Sequence, residues 1–350
     1  MKTTVYTRVG DFGWEAYAFA LDAKVSDASE LKLEIAPPRQ EKRAGVIKAV
    51  TSDGDVTRIE VEPFAYNRAE YTLSGGGVSV TRADVADTVI DGLDGFEAKE
   101  ENGVIYRLYS PKAKGPRPLV LFLHGGGECG SDNLLQMVGT IGAIKIAADY
   151  PDVYVMAPQA PGGMIDFSKG QVPNMNAPFA LTDQKGERGW HRKYLAAVCD
   201  LIREMIDDGK VNPDRIYVTG MSMGGAGTLR MLSVGSGLFA AAAPICPSMT
   251  PETFGILSSL TETKIWVSCA YVDHTIYRHK YIVDGILALR DAGNPDAHLT
   301  IYSPEELAAY GIATDPDMPL QAKFGANHAC WILTYHNEHH IMDWLMSQSK

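Results

Sequence analysis

Gly220-Met221-Ser222-Met223-Gly224 is a G-x-S-x-G pentapeptide between an apolar run, Arg215 to Thr219, and a helical pattern, Ala226 to Leu232. That context makes it a candidate strand–turn–helix nucleophile. A serine on so sharp a turn needs neighbours without side chains, and the turn lifts its hydroxyl above the sheet. The helix N-terminus behind it favours developing negative charge. A second glycine-rich segment, His124-Gly125-Gly126-Gly127-Glu128, follows another apolar run, Pro118 to Leu123. Glycines there let backbone N–H groups face a ligand, as in the HGGG-type half of an oxyanion hole; the other half is the N–H after the serine, on Met223. No GxxxxGK[ST] and no GxGxxG with a following acid is present, so a phosphate loop is disfavoured.

A serine nucleophile needs a base, and the base needs an orienting acid. In such folds the chain order is serine, acid, histidine. His328 lies in a short segment expected to be a loop between the last strand region and a C-terminal helix, where a base can hang over the serine. Asp273 lies just beyond the carboxyl end of the apolar run Lys264 to Ser268, on the crevice side of an open sheet. Asp284 falls inside a helical pattern and reads as a solvated face; Glu305 and Glu306 are the fallback acids. His336, His339 and His340 are spaced i, i+3, i+4 on an expected helix, a geometry that suits zinc. No HExxH accompanies them, so helical surface histidines explain them better and no metal or other cofactor is expected.

These residues need a scaffold, and the chain changes texture near residue 92. Before it, short β-rich runs alternate with turn signals such as Asp53-Gly54 and Gly75-Gly76-Gly77. This predicts an all-β sandwich over residues 1–92. The stretch Asp91-Gly92-Leu93-Asp94-Gly95 reads as a linker. Residues 93–350 alternate continuous apolar strands with helical patterns such as Leu195, Val198, Cys199, Ile202, Met205 and Ile206. That alternation predicts an α/β domain with a mostly parallel sheet flanked by helices.

Composition narrows the function. The 350 residues carry 32 Lys+Arg against 43 Asp+Glu, a formal net charge of −11. Such a balance gives no electrostatic help with nucleic acid or an anionic membrane surface, and a neutral or small substrate is expected. The longest apolar run, Leu238 to Cys246, is under half the ~20 residues that span a bilayer. The first residues lack the apolar core of a signal peptide, so the expected location is cytoplasmic. The five cysteines include no CxxC and read as reduced, mostly buried thiols.

Taken together, the chain resembles α/β-hydrolase esterases with an N-terminal immunoglobulin-like domain. That group is known as predicted peptidases or phospholipase/carboxylesterases and is related to polyhydroxybutyrate depolymerases and feruloyl esterases. The resemblance covers most of the chain. It rests on Asp11-Phe12-Gly13-Trp14, Val61 to Tyr66, Tyr106 to Pro111, the His124 to Asn133 loop, Ala157 to Pro161 and Ile216 to Gly225. It implies Ser222 as nucleophile, His328 as base, and Gly126 and Met223 as oxyanion donors. The family's acid segment reads H-G-x-x-D-x-x-V; here Cys269 and Ala270 replace the His-Gly before Asp273. Where the family often has H-D-S-W, this chain has His328-Ala329-Cys330-Trp331, which puts Trp331 beside the site.

The substrate reading comes from Pro161 to Trp190, about thirty residues where a βα connection usually takes 2–6. Met164, Ile165, Phe167, Met175 and Phe179 are interspersed there with polar residues, without the continuous apolar face of a lipase lid. Trp190 and Trp331 are expected to add aromatic surface. The expected activity is therefore a serine carboxylesterase acting on short-chain acyl or aryl esters, including feruloyl or acetyl esters of carbohydrate. The alternatives are a serine peptidase of the same fold and a polymer- or partner-binding protein with an inert hydrolase domain.

Overall fold

The computed structural model describes residues 1–37, 41–67, 69–162, 189–273 and 276–350. The chain divides into two compact units, Met1–Asp94 with Val138–Ile141, and Gly95–Met137 with Gly142–Lys350.

The first unit is all β. Its strands are β1 (Thr3–Gly10), β2 (Gly13–Leu21), β3 (Lys32–Ala36), β4 (Arg43–Gly45), β5 (Ile47–Asp53), β6 (Val56–Ala65), β7 (Glu70–Gly75), β8 (Val78–Thr81) and β9 (Val85–Ile90). They form two sheets, β5-β6-β2-β1-β9 and β4-β3-β7-β8. All pairings are antiparallel except β1 with β9. Alternation along β3 buries Leu33 and Ile35 and exposes Lys32 and Glu34, as a half-buried strand requires. Residues of both sheets, among them Val5, Phe19, Ile59, Leu33, Tyr71 and Leu73, share one core. β9 lies in the stretch that runs up to the expected linker. Its partial exposure and polar Asp87 and Thr88 hide it from a hydrophobic pattern.

The second unit holds β10 (Phe96–Glu101), β11 (Val104–Tyr109), β12 (Arg117–Leu123), β13 (Tyr154–Pro158), β14 (Val211–Met221), β15 (Ala241–Ile245), β16 (Ile265–Ala270) and β17 (Ala297–Tyr302). Its helices are α1 (Leu135–Val138), α2 (Ala143–Asp149), α3 (Arg192–Asp207), α4 (Met223–Val234), α5 (Pro251–Ser259), α6 (Ile276–Asp291), α7 (Pro304–Ala309), α8 (Leu320–Asn327), α9 (Trp331–Tyr335) and α10 (Ile341–Ser347). One sheet runs β10-β11-β13-β12-β14-β15-β16-β17. Only β10–β11 and β11–β13 pair antiparallel; the other pairs are parallel.

Parallel strands covered on both faces must be apolar throughout, and β12 reads so. Leu119, Leu121 and Leu123 enter one core with Leu195, Val198 and Ile202 of α3 and Leu229 and Met231 of α4. Phe122 points to the opposite face, where its ring meets Tyr335 of α9 with centroids 5.8 Å apart. Because β12 sits between β13 and β14, chain order reverses there, and the crevice beyond the carboxyl ends is the natural place for a site. No helix among the described residues is long and apolar enough to cross a membrane. All five cysteines are free, and four are buried.

Candidate active site

β14 ends at Met221 and α4 begins at Met223, so Ser222 alone makes the turn. Its backbone sits at φ 59°, ψ −115°, a strained conformation for a residue with a Cβ. Three backbone bonds pin it: its N–H donates to the Ile245 carbonyl at 2.9 Å, and its own carbonyl accepts from the Ser248 N–H at 3.0 Å and from the Ala226 N–H at 3.1 Å. The flanking glycines are explained by crowding. A Cβ on Gly220 would lie 2.5 Å from the Leu123 oxygen, and one on Gly224 would lie 1.9 Å from that same atom.

The three candidate triad residues converge. His328 Nε2 is 2.8 Å from Ser222 Oγ, and His328 Nδ1 is 2.8 Å from Asp273 Oδ2. Asp273 lies three residues past the end of β16 and is buried. The His328 side chain keeps 12% of its surface exposed, enough to reach the crevice. Burial works against charging this imidazole, but the Asp273 carboxylate and the Cys246 sulfur outweigh burial and Arg278, raising its pKa to about 9. Trp331 packs edge-on to the His328 ring, with centroids 5.4 Å apart.

The loop expected around His328 is helical instead. α8 runs to Asn327, a 3-10 turn covers His328–Cys330, and α9 follows at Trp331. Gly325 and Asn327 suggest a break by composition, yet Asn327 and His328 both take right-handed helical angles. Burial of Asn327, Cys330 and Ile332 decides the matter over local preference.

Gly126 opens a 3-10 turn directly after Gly125, and Met223 is the first residue of α4. A Cβ built on Gly126 would lie 4.0 Å from the Cβ of Met223, so the two candidate oxyanion residues stand side by side. His124 anchors this loop. Its Nε2 accepts from the Ala160 N–H at 2.9 Å, which leaves the proton on Nδ1 to donate to the Gly125 carbonyl at 2.6 Å. Full burial pushes its pKa down to about 4, so the ring stays neutral. Gln159 braces the same loop, accepting from the Asn133 N–H and donating to the Glu128 carbonyl.

Trp190 takes a different place from the one expected. Its indole is fully buried, donates from Nε1 to the His124 carbonyl at 3.0 Å, and stacks at a tilt on the His124 ring. A Cβ on Gly227 would fall 2.7 Å from the indole, so the ring is seated against α4. It braces the loop, with its indole buried rather than exposed. An aromatic residue beside a motif looks the same in sequence whether it faces the crevice or supports it.

Of the fallback acids, Glu306 is engaged elsewhere. Glu306 accepts from the Ser303 N–H in a capping box and sits 2.6 Å from His339 Nε2. Asp284 pairs with Lys280 one turn away. The expected helical histidine triplet is broken as well. α9 ends at Tyr335, and Asn337, His339 and His340 all have positive φ, so the i, i+3, i+4 spacing does not gather three rings on one face. Cys246, Asp273 and His328 do bring ligand-type atoms within 4.8 Å of one another. Arg278 places its guanidinium in the same spot, 3.1 Å from Asp273, and its positive charge opposes a cation there. Residues 163–188 of the expected substrate-facing segment, and His274, lie outside the described residues.

Arg278, Ser248 and Cys246 join the triad without a signature in sequence. Arg278 is buried in α6, five positions after Asp273, and looks like an ordinary helix-surface cation until the fold is known.

No family model matches the chain, and no curated protein matches it. Among solved structures, a thermostable esterase is similar over 99% of this chain and 99% of its own, with TM-score 0.70 and 24% identity. An S-formylglutathione hydrolase from Staphylococcus aureus is similar over 72% of this chain and 95% of its own, with TM-score 0.46 and 13% identity. The acylaminoacyl peptidase of Pyrococcus horikoshii is similar over 96% of this chain and 55% of its own, with TM-score 0.46 and 14% identity. The likeness to the thermostable esterase shows that the chain shares that structure's fold over 99% of its length.

Proposed function

We propose that the protein is a serine carboxylesterase of the α/β-hydrolase fold, preceded by an immunoglobulin-like sandwich. The observation that carries this reading is the continuous Ser222–His328–Asp273 chain, with 2.8 Å at each link. In this reading His328 Nε2 takes the Ser222 proton as Oγ attacks the ester carbonyl. Asp273 keeps the other ring proton on Nδ1 and stabilises the imidazolium that forms. The Gly126 and Met223 N–H groups receive the oxyanion. The imidazolium then protonates the departing alkoxide. Water, deprotonated by the same base, releases the acyl group and restores Ser222.

Trp331 beside the base supports a short acyl or aryl ester, feruloyl and acetyl esters of carbohydrate included. The two sheets sharing one core support the immunoglobulin-like reading of the first unit.

The test pairs Ser222→Ala with a covalent fluorophosphonate probe. The variant is expected to lose on the order of 10⁴–10⁶ in kcat and all labelling. Wild-type turnover of p-nitrophenyl acetate by that variant would end the serine mechanism. A panel of p-nitrophenyl esters from C2 to C16, methyl ferulate and a chromogenic peptide then sorts the substrate. Preference for C12 or longer would overturn the short-acyl reading, and peptide turnover near that of the best ester would make the protein a peptidase.

A further inference from the structure

Beneath the triad lies a buried cation that the mechanism above does not use. Arg278, on α6, is 4% exposed. Its Nη1 is 3.1 Å from Asp273 Oδ2, 2.7 Å from His328 Nδ1 and 3.2 Å from His328 Nε2. Its Nη2 donates to Ser248 Oγ at 3.1 Å. Ser248 in turn donates its backbone N–H to the carbonyl of Ser222. One planar group thus touches the acid and the base and reaches the turn of the nucleophile through a single residue.

We propose that Arg278 is a positioning residue of this esterase, locking the Asp273 carboxylate to the nucleophile turn through Ser248 while disfavouring the charged state of His328. The inference rests on the triad reading.

The first role follows from chain geometry. Asp273 stands on a connection where Cys269 and Ala270 replace the His-Gly of the resembling family. The Nη1 bond to Oδ2 supplies a hold on the carboxylate from α6. A planar guanidinium does this with two separate nitrogens at fixed spacing, which an ammonium cannot reproduce.

The second role follows from charge. His328 Nδ1–H and Arg278 Nη1–H are both donors, and both aim at the single oxygen Oδ2. They stand side by side at 2.7 Å, so each proton the ring gains is opposed by a fixed positive charge. Among the described residues, Ser222, the Asp273 carboxylate, the Cys246 sulfur and the Trp331 ring also face His328, and the Cys330 and Cys269 thiols lie close to Cys246. Among these, Asp273 and Cys246 favour the imidazolium and Arg278 opposes it. The opposition makes His328 neutral at lower pH and makes the imidazolium a stronger acid toward the leaving alkoxide.

The experiment uses the full chain with Arg278→Met, Arg278→Lys and Ser248→Ala, reading kcat, KM, the acid limb of kcat/KM against pH, and the melting temperature. For Arg278→Met we expect kcat to fall roughly 10²-fold with KM nearly unchanged, and the acid limb to move up by about one pH unit. Arg278→Lys is expected to keep the acid limb near wild type while restoring only part of kcat, because the charge returns without the second nitrogen that reaches Ser248. Ser248→Ala, which cuts the tether and leaves the charge, is expected to lower kcat several-fold without moving the acid limb. A purely structural arginine would lower the melting temperature of Arg278→Met with the acid limb unmoved, and that result overturns the proposal. If Arg278→Met does not fold, an Arg278→Lys limb displaced as far as one pH unit, or a Ser248→Ala variant with wild-type kcat, overturns it as well. Loss of the triad reading itself would show differently, as activity surviving in Ser222→Ala.

Discussion

Gly224 stands so close under the end of β12 that a Cβ on it would lie 1.9 Å from the Leu123 carbonyl oxygen and 2.6 Å from that of His124. Both obstacles are backbone, so no side chain can swing away. Gly224→Ala should therefore force β12 and α4 apart at the serine turn. The expected cost is roughly 1–3 kcal/mol or more, read as a lower melting temperature together with reduced fluorophosphonate labelling. Wild-type stability and labelling would mean that the two elements yield more easily than their contact suggests.

Asp273→Asn should lower kcat by ~10⁴, because an amide no longer holds the His328 tautomer. The same change leaves the buried Arg278 charge without its carboxylate, so the melting temperature should fall too. Normalising kcat to the folded fraction read from the melting curve separates the two effects. Unchanged normalised activity would remove Asp273 from the acid role.

Activity should rise with pH along an acid limb placed above the ordinary imidazole value of ~6.5. The sign follows from the role. A general base works only when neutral, and the pKa of His328 is raised to about 9. Protonated His328 therefore predominates until pH passes through that value. The linked stability has the opposite slope: it is complete below the unfolded pKa of ~6.5 and is lost as pH rises through about 9. A kcat/KM profile with its acid midpoint at pH 6 or lower would contradict this.

Trp190→Phe should act on stability and leave KM alone. It removes the Nε1 donor from the His124 carbonyl, leaving a buried acceptor unpaired at a cost of about 1–3 kcal/mol. A raised KM with an unchanged melting temperature would return Trp190 to the substrate.

Chelation should leave activity intact. The Cys246–Asp273–His328 group has the right donor atoms for zinc, but the guanidinium of Arg278 is bonded to its carboxylate. Incubation with EDTA followed by assay is the measurement. Loss of turnover restored by zinc would show that the cation displaces Arg278.

What the sequence determined by itself was local. The Gly220-Met221-Ser222-Met223-Gly224 spacing specifies a turn, because only glycines fit beside a carbonyl at the distances found for Gly220 and Gly224. The continuous apolar stretch of β12 specifies a strand buried on both faces, since each alternate residue must meet a different layer. The residue types at 222, 273 and 328 and their order along the chain are visible in the same way. Tertiary structure decided the rest. Contacts between Ser222 and His328 span 106 positions, and no pattern in a window of neighbours reports them. It decided that Trp190 supports the His124 loop, that the segment around His328 is helical despite Gly325 and Asn327, and that His336, His339 and His340 do not share a helix face. Arg278 is the clearest instance. A cation near the start of a helix reads as solvated, because burying it unpaired is costly. Only the fold brings Asp273 and Ser248 to its two nitrogens and makes that burial tolerable.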